Sequence, residues 1–134
     1  MINGINHLTL AVKSIDSAFR FYRDILQLKP VMKSAISAYF LAGDTWIALA
    51  FDERFVPSTN YTHIAFAVPS ADYPSTVARL RALQVVEWQT NKTEGDSLYL
   101  LDDSGNRLEI HASNLAARID EGKAHWGRDV EWFV

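Results

Sequence analysis

The chain has 134 residues, enough for one hydrophobic core and too few for two ordinary domains. A net charge of −3 without a basic run leaves no electrostatic footprint for nucleic acid, and no stretch reads as a membrane span or a secretory leader. With no cysteine there is neither a disulfide framework nor a thiol nucleophile, so a cytoplasmic location is expected and any thiol in the chemistry must arrive as substrate.

Residues 5–12 read as a strand, on which Leu8, Leu10 and Val12 face one way and His7, Thr9 and Ala11 the other. A helix follows, capped by Ser14 or Asp16, with Ala18, Phe21, Tyr22, Ile25 and Leu26 at helical spacing, and ends near Leu28 and Pro30. Strands are expected from Pro30 to Lys33, Ala38 to Ala42 and Trp46 to Phe51, with Gly43-Asp44 as a turn. A linker over 53–60 leads to a strand over 61–68, where Ile64, Phe66 and Val68 oppose His63, Ala65 and Ala67. The second helix starts at Ser70 or Asp72, tolerates Pro74 in its first turn and carries Val77, Leu80 and Leu83 as its apolar stripe. Strands from Val85 to Gln89, Ser97 to Leu101 and Arg107 to His111 complete this half, the last two joined by Asp103-Ser104-Gly105-Asn106. Asn114 to Asp120 reads as helical, ahead of a polar tail containing His125, Trp126 and Trp132.

The halves are copies. Residues 7–16 align with 63–72 at the His, the Ala-Val, the Ser and the Asp, and Leu26-Gln27 answers Leu83-Gln84 one residue out of step. Each half therefore reads as strand, helix and three strands, giving an α+β fold of paired βαβββ modules: about residues 1–52, then about 61–112, with 113–134 as a C-terminal helix and tail.

A lone strand histidine is more often structural than a ligand. Two histidines at equivalent points of a repeat, His7 and His63, together with Glu109 between Leu108 and Ile110, have another reading. They supply two imidazoles and a carboxylate on faces lined by small residues, the donor set of an open divalent-metal site. A carboxylate in a buried strand needs a partner, and a metal is one. His111, on the same strand face as Glu109, is the rival ligand; it and His125 are read as structural or solvent-exposed.

The segments Gly4 to Val12, Phe21-Tyr22-Arg23, Tyr61 to Phe66, Glu94-Gly95-Asp96-Ser97 with Tyr99, and Asp103 to Glu109 together resemble the fosfomycin-resistance thiol transferases of the vicinal oxygen chelate (glyoxalase) superfamily, over about residues 1–120. The resemblance implies a homodimer that exchanges modules, so that His7 of one subunit meets His63 and Glu109 of the other. It also implies Mn²⁺ as metal, K⁺ as activator, and glutathione opening the epoxide of fosfomycin. Carried over residue by residue, it gives Thr9, Tyr99 and Arg118 as the groups acting on the phosphonate substrate. Tyr39 and Trp46 become the substrate wall, with Lys92, Thr93 and Ser97 as further substrate contacts. Asn91, Thr93, Gly95 and Ser97 become the K⁺ loop.

The chain departs from that pattern at Gln89, where the family usually has lysine, and in the segment from His125 to Val134. Thr9 replaces the cysteine of bacillithiol- or cysteine-using relatives, and no acid occurs in Ala35-Ile36-Ser37-Ala38-Tyr39, where water-adding relatives carry glutamate; glutathione is the expected nucleophile. Another metal-dependent enzyme of the superfamily, acting on a different small electrophile or oxyanion, and a metal-free drug-sequestering protein remain open.

Overall fold

A computed structural model describes all residues, Met1–Val134. The order is β1 (His7–Val12), α1 (Ile15–Arg20), β2 (Lys29–Lys33), β3 (Ser37–Ala42), β4 (Thr45–Phe51), β5 (Ile64–Ala67), α2 (Tyr73–Ala82), β6 (Glu87–Gln89), β7 (Ser97–Leu101), β8 (Arg107–His111) and α3 (Leu115–His125). No helix is long and apolar enough to cross a membrane.

Two four-stranded sheets repeat one topology, β1-β4-β3-β2 and β5-β8-β7-β6. In each, the first strand runs parallel to the last and the remaining neighbours are antiparallel. The helices obey the same local chemistry. The Ser14 hydroxyl accepts from Ser17 N–H at 3.3 Å, capping α1, while α2 is led in by a 3₁₀ turn over Ser70–Asp72 with Pro74 in its first turn. Both helical segments stop at a glutamine forced into left-handed backbone, Gln27 (φ 58°) and Gln84 (φ 59°), matched positions of the repeat. Leu83 consequently lies past the end of α2, about half exposed, and does not belong to its buried stripe.

α1 is longer than its α-helical part. It continues as a π-helical turn over Phe21–Ile25, whose closing bond runs from Leu26 N–H to Phe21 O at 3.0 Å. α3 also runs further than the sequence suggests, through His125 rather than to Asp120, so His125 stands on its last turn beside Glu121 and not in a tail. Gly122 lies in the added stretch. The tail folds back so that Trp132 and Trp126, stacked at 5.8 Å, sit where a Gly122 side chain would be, 2.6 Å from a Cβ placed there.

The large faces of both sheets pack under the helices into one core. Val12, Phe40, Ile47 and Leu49 meet Ala18, Phe21 and Tyr22, and Leu98, Leu100, Leu108 and Ile110 meet Val77 and Leu80. A buried polar cluster ties the halves together. Asp102 accepts from the backbone N–H groups of Ser104, Gly105 and Asn106 (2.8–2.9 Å) on one oxygen, and from Tyr22 O–H and Asn106 Nδ2, both at 2.8 Å, on the other. Asn106 Nδ2 also donates to Ala11 O at 2.8 Å, and Lys13 N–H to Ser104 Oγ at 2.9 Å, so the β7–β8 turn of the second module is pinned to the end of β1. Burial beside Asp102 pushes the Tyr22 hydroxyl well above its ordinary titration range, which keeps it a donor.

Asp102→Ala leaves several buried donors without partners and is expected to cost more than about 2 kcal/mol of stability. Urea unfolding measures this; a loss below about 0.5 kcal/mol, the range of an ordinary surface change, would show the cluster to be peripheral.

Candidate metal centre and substrate face

The faces turned away from the helices carry the polar side chains. In the first sheet register sets His7 beside Trp46, and Thr9 beside Ala48, which in turn pairs with Tyr39. In the second, Ala65 pairs with Glu109, Glu109 with Tyr99, and His111 with Ser97. His63 immediately precedes β5. Because Thr9 and Ala65 are repeat equivalents, Ala48 is the counterpart of Glu109: one module offers a histidine, the other a histidine and a carboxylate.

His63 and Glu109 meet. The Nδ1 atom of His63 lies 2.8 Å from the carbonyl oxygen of Tyr61, which can only accept, so Nδ1 carries the ring proton. The other nitrogen, Nε2, lies 3.0 Å from Glu109 Oε1 and in the neutral imidazole is an acceptor. Two acceptors at this distance repel unless a proton or a cation sits with them. Glu109 is only 6% exposed, and its second oxygen accepts from the Ser97 hydroxyl at 2.7 Å. An almost buried carboxylate facing an imidazole lone pair suits a divalent cation, by the chemistry of the donors themselves. Aromatic rings wall the pair: Tyr61, Trp88 and Tyr99 lie 5.0, 5.5 and 5.9 Å from the His63 ring. Trp88 was not legible as a site residue, because a lone aromatic on an edge strand reads as core; its Nε1 donates to Leu108 O at 2.9 Å.

His7 is prepared in the same way but stands elsewhere. Its Nδ1 pairs with Asn6 Oδ1 at 2.7 Å and its ring lies 4.3 Å from Trp46, with Nε2 left free. It does not join His63 and Glu109 within the chain, where no group of three His, Asp or Glu side chains is disposed to hold a metal ion. The trio expected from the sequence is thus divided, because β1 is hydrogen-bonded only into the first sheet and β5 and β8 only into the second.

Thr9 is exposed two residues from His7. Tyr39 meets Trp46 edge-on at 5.0 Å, and Trp46 Nε1 is buried with no hydrogen-bond partner, an unspent donor beside His7. Tyr99 is buried in the second sheet and Lys92 is exposed. Arg118 is not free: its Nε lies 3.5 Å from Glu94 Oε2, each otherwise without a partner, and its NH2 donates to Glu94 O at 3.3 Å. The 91–97 loop is closed on itself. Asn91 Nδ2 donates to Gly95 O at 2.8 Å, while Asn91 Oδ1 accepts from Thr93 N–H and O–H at 3.1 and 3.0 Å. Gln89 donates to Tyr61 O–H at 3.0 Å and brings no charge. His111, read as structural or exposed, is in fact mostly buried and bonded to Ser97 at 2.6 Å.

Residues 4–110 match the family model described as Glyoxalase/Bleomycin resistance protein/Dioxygenase superfamily. The chain is 39% identical over 123 residues to the glutathione transferase FosA of Serratia marcescens, covering 89% of this chain and 87% of that one. The chain belongs to this superfamily, in its fosfomycin-resistance branch. It is also 36% identical over 140 residues to the metallothiol transferase FosB of Staphylococcus haemolyticus, covering 93% of this chain and 96% of that one. Among solved structures, FosX from Mesorhizobium loti superposes with TM-score 0.75 at 29% identity, over 89% of this chain and 99% of that one. A mutant FosX from Listeria monocytogenes, complexed with Mn(II) and 1S,2S-dihydroxypropylphosphonic acid, gives 0.76 at 29%, over 90% and 98%.

Titration of the purified protein with Mn(II), followed by loss of the free-ion EPR signal, is expected to show binding that Glu109→Ala weakens by more than about 100-fold, beyond what outer-shell partners alone cost. Unchanged affinity in that variant would remove Glu109 from the site.

Proposed function

We propose that this protein is a metal-dependent enzyme that adds the thiol of glutathione to the epoxide of fosfomycin. The observation that carries the reading is the Nε2 atom of His63 standing 3.0 Å from the nearly buried Glu109 carboxylate while Nδ1 is spent on the Tyr61 carbonyl, in a chain 39% identical to a glutathione transferase of the same branch. Glutathione is preferred over other nucleophiles because the chain has Thr9 where bacillithiol- or cysteine-using relatives carry cysteine, and no acid between Ala35 and Tyr39 where water-adding relatives carry glutamate.

In this reading the chain works as a dimer, His7 of one copy joining His63 and Glu109 of the other. The free Nε2 atoms of both histidines and Glu109 Oε1 would hold the ion. When bound, Mn²⁺ supplies Lewis acidity and open coordination positions on the substrate's side of the site. The glutathione thiol gives up its proton to water, its sulfur attacks an epoxide carbon, that C–O bond breaks, and the oxygen stays on the neighbouring carbon as an alkoxide that takes a proton from water. The protein's own groups bind and orient. Thr9 offers a hydroxyl beside His7, Tyr99 a phenol beside Glu109, and Tyr39 and Trp46 a wall across the pocket. Arg118 exchanges its weak contacts with Glu94 for the phosphonate, whose oxygens match a guanidinium fork. Lys92 adds positive charge, and Asn91, Thr93, Gly95 and Ser97 supply oxygens for K⁺. The neutral Gln89, engaged with Tyr61, makes the phosphonate pocket less positive and favours slow turnover of fosfomycin or use of another small oxyanion.

With Mn(II), K⁺ and glutathione, the protein is expected to consume fosfomycin and form the conjugate, detected by mass spectrometry; turnover of a different electrophile with none of fosfomycin would refute the substrate. Arg118→Ala is expected to raise KM for fosfomycin by at least about tenfold, the loss of a charge-assisted pair, and an unchanged KM and rate would exclude that residue. Shared sites have their own signature. Inactive His7→Ala and Glu109→Ala chains, unfolded and refolded together, should regain activity, since one site of each mixed dimer receives intact ligands; no recovery would contradict the shared site.

A further inference from the structure

His111 has no part in the mechanism above, yet its ring is held as firmly as that of His63. The Ser97 hydroxyl has one proton, and it is directed to Glu109 Oε2 at 2.7 Å. The Nδ1 atom of His111, 2.6 Å from the same hydroxyl oxygen, must therefore be the donor in that contact, and it also lies 3.2 Å from Glu109 Oε2. Glu109 Oε2 is thus fixed by a short chain of donors, His111 to Ser97 to carboxylate, while Oε1 faces His63.

The far side of this imidazole supports the loop over 91–96. A Cβ built on Gly95 (φ 81°) would stand 3.3 Å from His111 Cε1 and 2.6 Å from Ser113 Cβ, so only glycine lets the loop settle there. Ala112 N–H donates to Asp96 O at 3.0 Å, and Ser113 Oγ to Glu94 Oε1 at 2.7 Å, which fastens the loop to the end of β8. Through Glu94 the same loop reaches Arg118.

We propose that His111 is a positioning residue: through Ser97 it holds the Glu109 carboxylate in its ion-binding orientation, and it links that carboxylate to the loop carrying Asn91, Thr93 and Gly95. This rests on the reading of His63 and Glu109 as metal ligands. A loop displaced from the His111 ring would then be felt at Glu109 Oε2, two hydrogen bonds away, so the loop and the carboxylate act as one unit.

The test is Mn(II) affinity, read from the free-ion EPR signal, for the wild type, His111→Phe and His111→Asn. The phenyl ring keeps the packing and removes both nitrogens; the asparagine amide restores an N–H near the position of Nδ1. His111→Phe is expected to weaken binding about 10- to 100-fold, the range for outer-shell partners of a ligand, and His111→Asn to recover most of that loss. Wild-type affinity in His111→Phe, or equal losses in both variants, would overturn the proposal while leaving the Glu109 site intact. Wild-type protein whose Mn(II) binding is absent, or indifferent to Glu109→Ala, would overturn the metal reading with it. Should His111→Phe fail to fold, Ser97→Ala breaks the same chain, and unchanged affinity there would be equally fatal.

Discussion

The direction of one proton organises the face of the second sheet. Because the carbonyl of Tyr61 takes the Nδ1 proton of His63, Nε2 is the nitrogen turned on Glu109, a carboxylate that is nearly out of water and needs positive charge, a proton or a cation, beside it. Everything around it serves that arrangement. Ser97 holds the second oxygen, the rings of Trp88 and Tyr99 limit water, and β8 carries Glu109 between two core residues, so that strand alternation alone points it away from the core. His7 repeats the device with Asn6 as proton acceptor. Ala48 stands in the first sheet where the second has Glu109, so in the proposed site the donors number two imidazoles and one carboxylate, a set that would keep coordination positions open.

The halves need each other for more than ligands. Small modules of one helix on four strands bury little, and here both contribute to one core. Asp102 adds direction to that adhesion. Its bonds to Tyr22 and, through Asn106, to the carbonyl of Ala11 fix the turn before β8 against the end of β1. The strand of His7 and the strand of Glu109 are therefore held in a defined relation inside one chain even though their side chains do not meet.

Much of this was legible in the residues. Alternation in three runs separated the core faces from the faces carrying His7, His63 and Glu109, and the duplicated His, Ser and Leu-Gln positions foretold matched strands and helix entries, though not the left-handed backbone that Gln27 and Gln84 share. What escaped depends on partners distant in sequence. Tyr22, on the π turn, bonds Asp102, which lies 80 residues away, and α3 runs on to His125 with Trp132 returning to cover Gly122. Arg118 reads as a phosphonate-binding group with no sign of Glu94 beside it, and His111 as structural or solvent-exposed with no sign of its bond to Ser97. The separation of His7 from His63 and Glu109 within one chain is expected through the family resemblance alone and from no local pattern, since equivalent strands of a repeat look alike whether or not they adjoin.

The most direct measurement of the central claim is anomalous scattering from crystals grown with Mn(II). The account predicts one manganese peak per chain, within coordinating distance of His63 Nε2 and Glu109 Oε1, with Nε2 of a second copy's His7 completing the set. A peak away from His63 and Glu109, or none at full Mn(II) exposure, would contradict it.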